Sequence, residues 1–205
     1  RRAMQPAWED ALRARETVGR HIHRTPLVGS KTLSRIAGRP VHLKLENLQK
    51  TGSFKVRGAY NRIAALDPSQ RAAGVITASS GNHAPGVAWA ATLLGIRSTI
   101  VMPQAASIIK YMATRGYGGQ VIFYGRSFNE THERAIELAA ETGATFVPPF
   151  DDELVMAGQG TVGLELLVAT VPYWRAVVHP HEDAVEASLQ LDALTYNARR
   201  TAEQV

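Results

Sequence analysis

Cysteine is absent from all 205 residues, which excludes a disulfide framework, thiolate catalysis, cysteine-ligated zinc and iron–sulfur clusters. Long apolar runs are missing too. No stretch approaches the roughly 20 residues of a membrane span, and residues 1–20 carry scattered charges in place of the apolar centre of a secretory signal. Glycine and proline, at 17 and 10 residues, are too few for a collagenous or low-complexity chain. Like charges cluster only in pairs such as Arg1–Arg2 and Arg199–Arg200, so the net charge of +5 is dispersed. A nucleic-acid interface needs a basic stripe; dispersed charge suits an anionic small molecule equally well. These absences lead to the expectation of a soluble, intracellular and cytoplasmic globular protein that has lost its native start and has no nucleic-acid or membrane partner.

What is present has a rhythm. Residues 5–18 read as an amphipathic helix with Trp8, Leu12 and Val18 on its apolar side. Val41–Leu45 alternates apolar and polar as a strand does, and residues 57–66 return to helical spacing until Asp67-Pro68 ends it. From Gly74 strands and helices alternate: strand 75–78, helix 82–94, strand 98–102, helix 106–115, strand 120–124, helix 127–141 and strand 144–147. Strands alternating with helices of 10–15 residues imply βαβ crossovers and a parallel sheet covered on both faces. Ligands of such sheets sit at the carboxyl ends of the strands. Beyond Pro148-Pro149 the spacing predicts a helix over 154–170 that starts around Gly158–Thr161. A strand over Trp174–Val178 and a long polar helix over 181–203 follow.

Three clusters carry chemistry. In Lys44–Ala59 a strand ends, a glycine turn follows, and Lys55 stands at a helix start after Phe54. Desolvation and the positive end of a helix both disfavour an ammonium, so such a lysine can act as a nucleophile or Schiff-base former at neutral pH. A lysine at the rim of an exposed turn is the plainer alternative. Ser79-Ser80-Gly81-Asn82-His83 offers hydroxyls and free backbone N–H groups at a helix start. That is either a carboxylate or phosphate cradle or ordinary capping. Gly158-Gln-Gly-Thr161 reads as a tight turn before a helix. Other candidates fail: position 121 is Val, so Gly116–Val121 is no dinucleotide fingerprint. His179-Pro-His181 lacks the one-face geometry of helical metal ligands, so no metal site is expected. Asp151–Glu153 reads as a charge group at a helix N-terminus.

In this order the clusters resemble the fold-type II pyridoxal-phosphate enzymes, and most closely the threonine ammonia-lyases (threonine/serine dehydratases). The matching text runs from about Thr25 to Leu167. It includes Lys44-Leu-Glu-Asn-Leu-Gln49, Gly52-Ser-Phe-Lys55, Ala78–Ala84, Val101-Met-Pro103, Ala113–Gly118, Gly143–Val147, Pro149–Asp152 and Ala157–Thr161. The resemblance implies a two-lobed, tryptophan-synthase-β-like α/β fold of parallel sheets with helices on both faces and a C-terminal lobe cut short. Residues 1–58 and 149–205 would form the larger cofactor domain, and 59–148 the smaller substrate domain. Lys55 would hold pyridoxal 5'-phosphate and shuttle the Cα proton, Phe54 would pack on its ring, and Asn82 would bond its 3'-hydroxyl. Ser79, Ser80, Asn82 and His83 would surround the carboxylate of a small amino acid. The implied reaction is β-elimination of water from L-threonine or L-serine to a 2-oxo acid and ammonia, in a homo-oligomer serving isoleucine biosynthesis.

Two departures open alternatives. Ser80 stands where many threonine ammonia-lyases have Ala and where serine racemases have Ser, so its hydroxyl could protonate the opposite face of a carbanion and racemise serine. Further on, His179-Pro-His-Glu182 stands where the resemblance calls for a glycine-rich phosphate loop. No glycine follows Gly163, so that region builds no backbone cradle of this kind, and a catalytically silent homologue is the remaining alternative.

Overall fold

The computed structural model describes residues 6–177. Helix α1 (Trp8–Val18) opens the chain, followed by strand β1 (Leu27–Gly29), helix α2 (Lys31–Ala37) and strand β2 (His42–Lys44). β1 and β2 pair antiparallel, Val28 opposite Leu43. Helices α3 (Lys55–Ala64) and α4 (Pro68–Ala73) lead into β3 (Val75–Ala78). Then come α5 (His83–Leu93), β4 (Ser98–Met102), α6 (Ile108–Gly116), β5 (Gln120–Phe123), α7 (Phe128–Thr142), β6 (Thr145–Phe146) and α8 (Glu153–Val177). The α/β class and the parallel sheet expected from the alternation are both present.

The chain divides into two compact units, residues 1–162 and 163–205. The first holds both sheets and every candidate side chain; of the second, the described part is the remainder of α8.

Four strands form a sheet in the order β5-β4-β3-β6, parallel throughout, with Ala78 opposite Val101 and Ile76 opposite Phe146. All four residues of β3 are buried, as a strand covered on both faces demands. Its alternation divides the core. Val75 joins Ala59, Tyr60, Ile63, Val87 and Ala91 on one face, while Ile76 and Ala78 join Val101 and Ala135 on the other. β4 and β5 lie on one side of β3 and β6 on the other, so the chain reverses direction across the sheet at β3. The crevice beyond the carboxyl ends of β3 and β6 is therefore a topological switch point, where open α/β sheets bind ligands.

Three expectations are corrected. The buried side of α1 is Ala11, Ala14 and Val18, and Trp8 is 42% exposed, because the small residues let the helix lie close to its neighbours. Gly158–Thr161 is no turn before a helix, since α8 begins at Glu153 and carries the motif inside. Asp152 caps this start, its Oδ1 accepting from Val155 N at 2.9 Å. Nor is there a strand at Trp174–Val177, where α8 continues; a short apolar run has no period that separates helix from strand. The helix expected over 181–203 and the His179–Glu182 segment lie outside the described residues.

Candidate active site at the switch point

Two helices begin side by side at this crevice. Gly86, one turn into α5, lies against the start of α3; a Cβ there would stand 3.3 Å from Val56 N and 3.4 Å from Lys55 C. The first N–H groups of a helix have no intrahelical partner. In α3 Lys55 N donates to Ser53 Oγ at 3.4 Å and Arg57 N to the Phe54 carbonyl at 3.0 Å. The donors that face the crevice are therefore those of His83 and Ala84 at the start of α5, Pro85 having no N–H. Lys55 is the first residue of α3 and His83 the first of α5.

Lys55 is half-buried. Its Nζ donates to the carbonyl of Pro149 at 2.8 Å and lies 5.5 Å from the centroid of the Phe54 ring. Burial lowers the pKa of this amine below the ordinary lysine value, which favours the neutral, nucleophilic form. Phe54 precedes it with 41% of its surface exposed, leaving an aromatic face open beside the amine.

The loop after β3 supplies the second group. Ser79 is buried, and its Oγ accepts from Gly81 N at 3.2 Å. Ser80, Gly81 and Asn82 are exposed. The Asn82 Oδ1 accepts from the ammonium of Lys110. His83 is 2% exposed, with Nε2 at 3.1 Å from the carbonyl of Val147. A carbonyl only accepts, so Nε2 carries the proton and Nδ1 is a bare lone pair. That Nδ1 is buried and has no hydrogen-bond partner among the described residues. Burial above all, with the nearby Lys55 charge adding to it and the Val147 bond opposing, pushes the His83 pKa down to about 4.

Val147–Pro149 joins these parts. The Val147 carbonyl accepts from His83 and from the buried Thr77 hydroxyl at 2.7 Å, while Pro149 takes the amine. Two successive prolines have no N–H to donate to a sheet, so the segment leaves β6 with its carbonyls turned to side chains.

Sequence reasoning placed Glu46, Gln49, Arg57 and the Gly158–Thr161 motif among its clusters without a role; the structure shows them bracing α3 and the segment before it. Arg57 is fully buried and grips Glu46 with two bonds, Nε–Oε2 at 2.9 Å and Nη2–Oε1 at 2.8 Å. Its Nη1 donates to Thr161 Oγ1 at 3.1 Å. Burial alone would raise the Glu46 carboxyl, but the Arg57 and Thr25 bonds and the charges of Arg57 and Lys44 outweigh it and hold it below its ordinary value. Gln159 accepts from Gly58 N at 3.2 Å, and Gln49 exchanges bonds of 2.9 and 2.7 Å with the backbone of His23. A charged residue in an otherwise apolar helix face, as Arg57 is, was the available signal.

The residues present fit pyridoxal phosphate on its aldehyde and ring sides: a desolvated amine, an open aromatic face and a donor-rich helix start converge. On the phosphate side the described residues contain no glycine-rich loop.

Comparison with known proteins shows the family. A family described as pyridoxal-phosphate dependent enzyme matches residues 18–184. The L-threonine ammonia-lyase of Thermotoga maritima is 52% identical over 159 residues, 78% of this chain and 40% of that protein. The L-threonine dehydratase catabolic TdcB of Staphylococcus aureus is 55% identical over 159 residues, 77% of this chain and 46% of its own length. The chain thus spans less than half the length of these relatives. Among solved structures, maize serine racemase superposes with a TM-score of 0.78 at 39% identity, covering 82% of this chain and 50% of that one. A T.th. threonine deaminase gives 0.75 at 43% identity, covering 82% and 53%.

Proposed function

The chain belongs to the family of pyridoxal-phosphate dependent enzymes, and from that premise we propose that it carries the amine and carboxylate side of a lyase site. The reaction is β-elimination of water from L-threonine or L-serine to an enamine, which takes up water to give a 2-oxo acid and ammonia. The observation that carries this reading is the half-buried Lys55 amine, its pKa lowered by burial, beside the donor-rich start of α5. The names of the relatives, L-threonine ammonia-lyase and L-threonine dehydratase, supply the substrate class.

When bound, pyridoxal phosphate supplies an aldehyde and an electron sink for the charge left at Cα. Lys55 would hold it through Nζ and, once released, would take the substrate Cα proton at the same atom. Phe54 would pack on its ring, and the Asn82 NH2 would donate to the ring oxygen. Ser79, Ser80 and the N–H groups at the start of α5 receive the substrate carboxylate, as helix N-termini receive anions. His83 takes part through its backbone, because its ring is committed to Val147.

A second reading, racemisation of serine, has its own support in the exposed hydroxyl of Ser80 and the similarity to serine racemases. A third, a silent homologue that associates without chemistry, rests on His179-Pro-His-Glu182 standing where the resemblance calls for a glycine-rich loop. The reading extends to a homo-oligomer in the cytoplasm, which sedimentation and fractionation test. The name of the S. aureus relative favours amino-acid breakdown over isoleucine biosynthesis.

The test is spectroscopic. Purified protein with added pyridoxal phosphate is expected to gain a visible band that borohydride removes, and to turn L-threonine into 2-oxo acid. Lys55→Ala is expected to lose both while keeping its far-ultraviolet circular dichroism. Undiminished 2-oxo acid from Lys55→Ala refutes the assignment; a colourless wild type favours the silent homologue. D-Serine formed faster than pyruvate from L-serine selects the racemase.

A further inference from the structure

Lys110 played no part in the reading of the sequence, yet it reaches the candidate site. It sits half-buried in the first turn of α6. Its backbone is held on two sides: Thr114, fully buried, donates to the Lys110 carbonyl at 2.8 Å, and the neighbouring Tyr111 ring lies 5.3 Å from that of Phe123. From this anchored position the ammonium donates to Asn82 Oδ1. Among the described residues no carboxylate pairs with it, so its charge is left to act on the loop.

The chemistry of the pair settles an orientation. A carboxamide has one accepting and one donating end, and the two are usually hard to tell apart. An ammonium only donates, so the end that Lys110 touches is the oxygen. The NH2 end of Asn82 therefore faces the other way, on a side chain that is exposed. With the ammonium removed, a half-turn about χ2 would present the carbonyl, whose dipole repels an anionic oxygen.

We propose that Lys110 is a positioning residue: by occupying Oδ1 of Asn82 it commits that side chain to act as a donor toward the anionic ring oxygen of the cofactor. This rests on the reading of the site as a pyridoxal-phosphate site. The nearby positive charge acts in the same direction, since it favours the ionised oxygen over its protonated form.

Wild type, Lys110→Met and Lys110→Arg are compared in two ways, with circular dichroism confirming that each is folded. In 15N-labelled protein without ligand, the side-chain amide signals of Asn82 are assigned by their loss in Asn82→Ala. They are expected to move in Lys110→Met and to hold near the wild-type position in Lys110→Arg; signals unmoved by Lys110→Met overturn the proposal. In titrations with pyridoxal phosphate, Lys110→Met is expected to bind about tenfold more weakly, the worth of one ordinary hydrogen bond. Its visible absorbance should also shift between protonation forms, and Lys110→Arg should restore both. Equal affinity and band shape in wild type and Lys110→Met overturn the role. A wild type that takes up no cofactor, while Lys110→Met still moves the Asn82 signals, supports the commitment of Asn82 and refutes the function proposed above.

Discussion

His83 shows what burial does to one side chain. Its ring is neutral in the fold with a pKa of about 4, against 6.5 for the free residue. Between those values the unfolded chain binds a proton that the folded chain refuses. The His83 contribution to stability is thus fully present above pH 6.5 and is lost as pH falls toward 4, on the order of 3 kcal/mol at most. Urea melts from pH 7 to 4 are expected to fall more steeply for wild type than for His83→Gln, whose amide can still donate to Val147. Parallel curves would show that the ring does not resist protonation. Burial shifts Lys55 the same way, and there the lowered pKa leaves more free amine at neutral pH. Competitive acylation followed by peptide mapping is expected to label Lys55 at a lower pH in the folded protein than in the urea-unfolded protein. Identical titration of the two would remove the case for an activated amine.

At the scale of elements, α3 is fixed by what crosses it. A Cβ on Gly58 would meet Val155 O at 2.5 Å, and one on Gly158 would meet Gly58 Cα at 2.6 Å, so α3 and the first turns of α8 touch backbone to backbone. Gly158→Ala must push α8 off α3, and a loss of about 2 kcal/mol or more is expected in denaturant melts, as for overpacked cores. Glu46→Leu strands the buried Arg57 guanidinium and is expected to cost about 3–5 kcal/mol. The double variant Glu46→Leu/Arg57→Met should recover much of that loss, and a double variant as unstable as the sum of the singles would contradict the pairing. The short α4 illustrates a signal with two meanings. Asp67-Pro68 reads as the end of one helix, and it also begins the next. Asp67 caps Gln70 N at 2.9 Å, and Gln70 returns a bond to Asp67 N.

For the whole molecule, the order β5-β4-β3-β6 puts the loops after β3 and β6 at the reversal, with Lys55 brought in from outside the sheet. Ligand that binds only the folded chain raises its stability by mass action, about 2.7 kcal/mol at a hundredfold excess over the dissociation constant. Pyridoxal phosphate is expected to raise the melting temperature of the wild type and to raise that of Lys55→Ala much less. Equal shifts would mean that the cofactor binds elsewhere. Among the described residues no helix is long and apolar enough to cross a membrane.

The alternation of strands and helices from Gly74 onward, and the clusters around Lys55 and Ser79–His83, could be read along the chain. Both depend on local periodicity and on neighbouring residues, which a linear string preserves. The strand order, the seating of Lys55 on Pro149 some 94 positions away and the grip of Lys110 on Asn82 could not. Gly158–Thr161 looked like a turn because glycine serves turns and close helix crossings alike, and only the partner helix separates the two. Local conformation follows from the backbone preferences and polarity of adjacent residues. Which distant carbonyl, carboxylate or amide each side chain meets is decided by how the helices and strands pack, because burial makes every unpaired polar group costly and only the assembled fold supplies the partners.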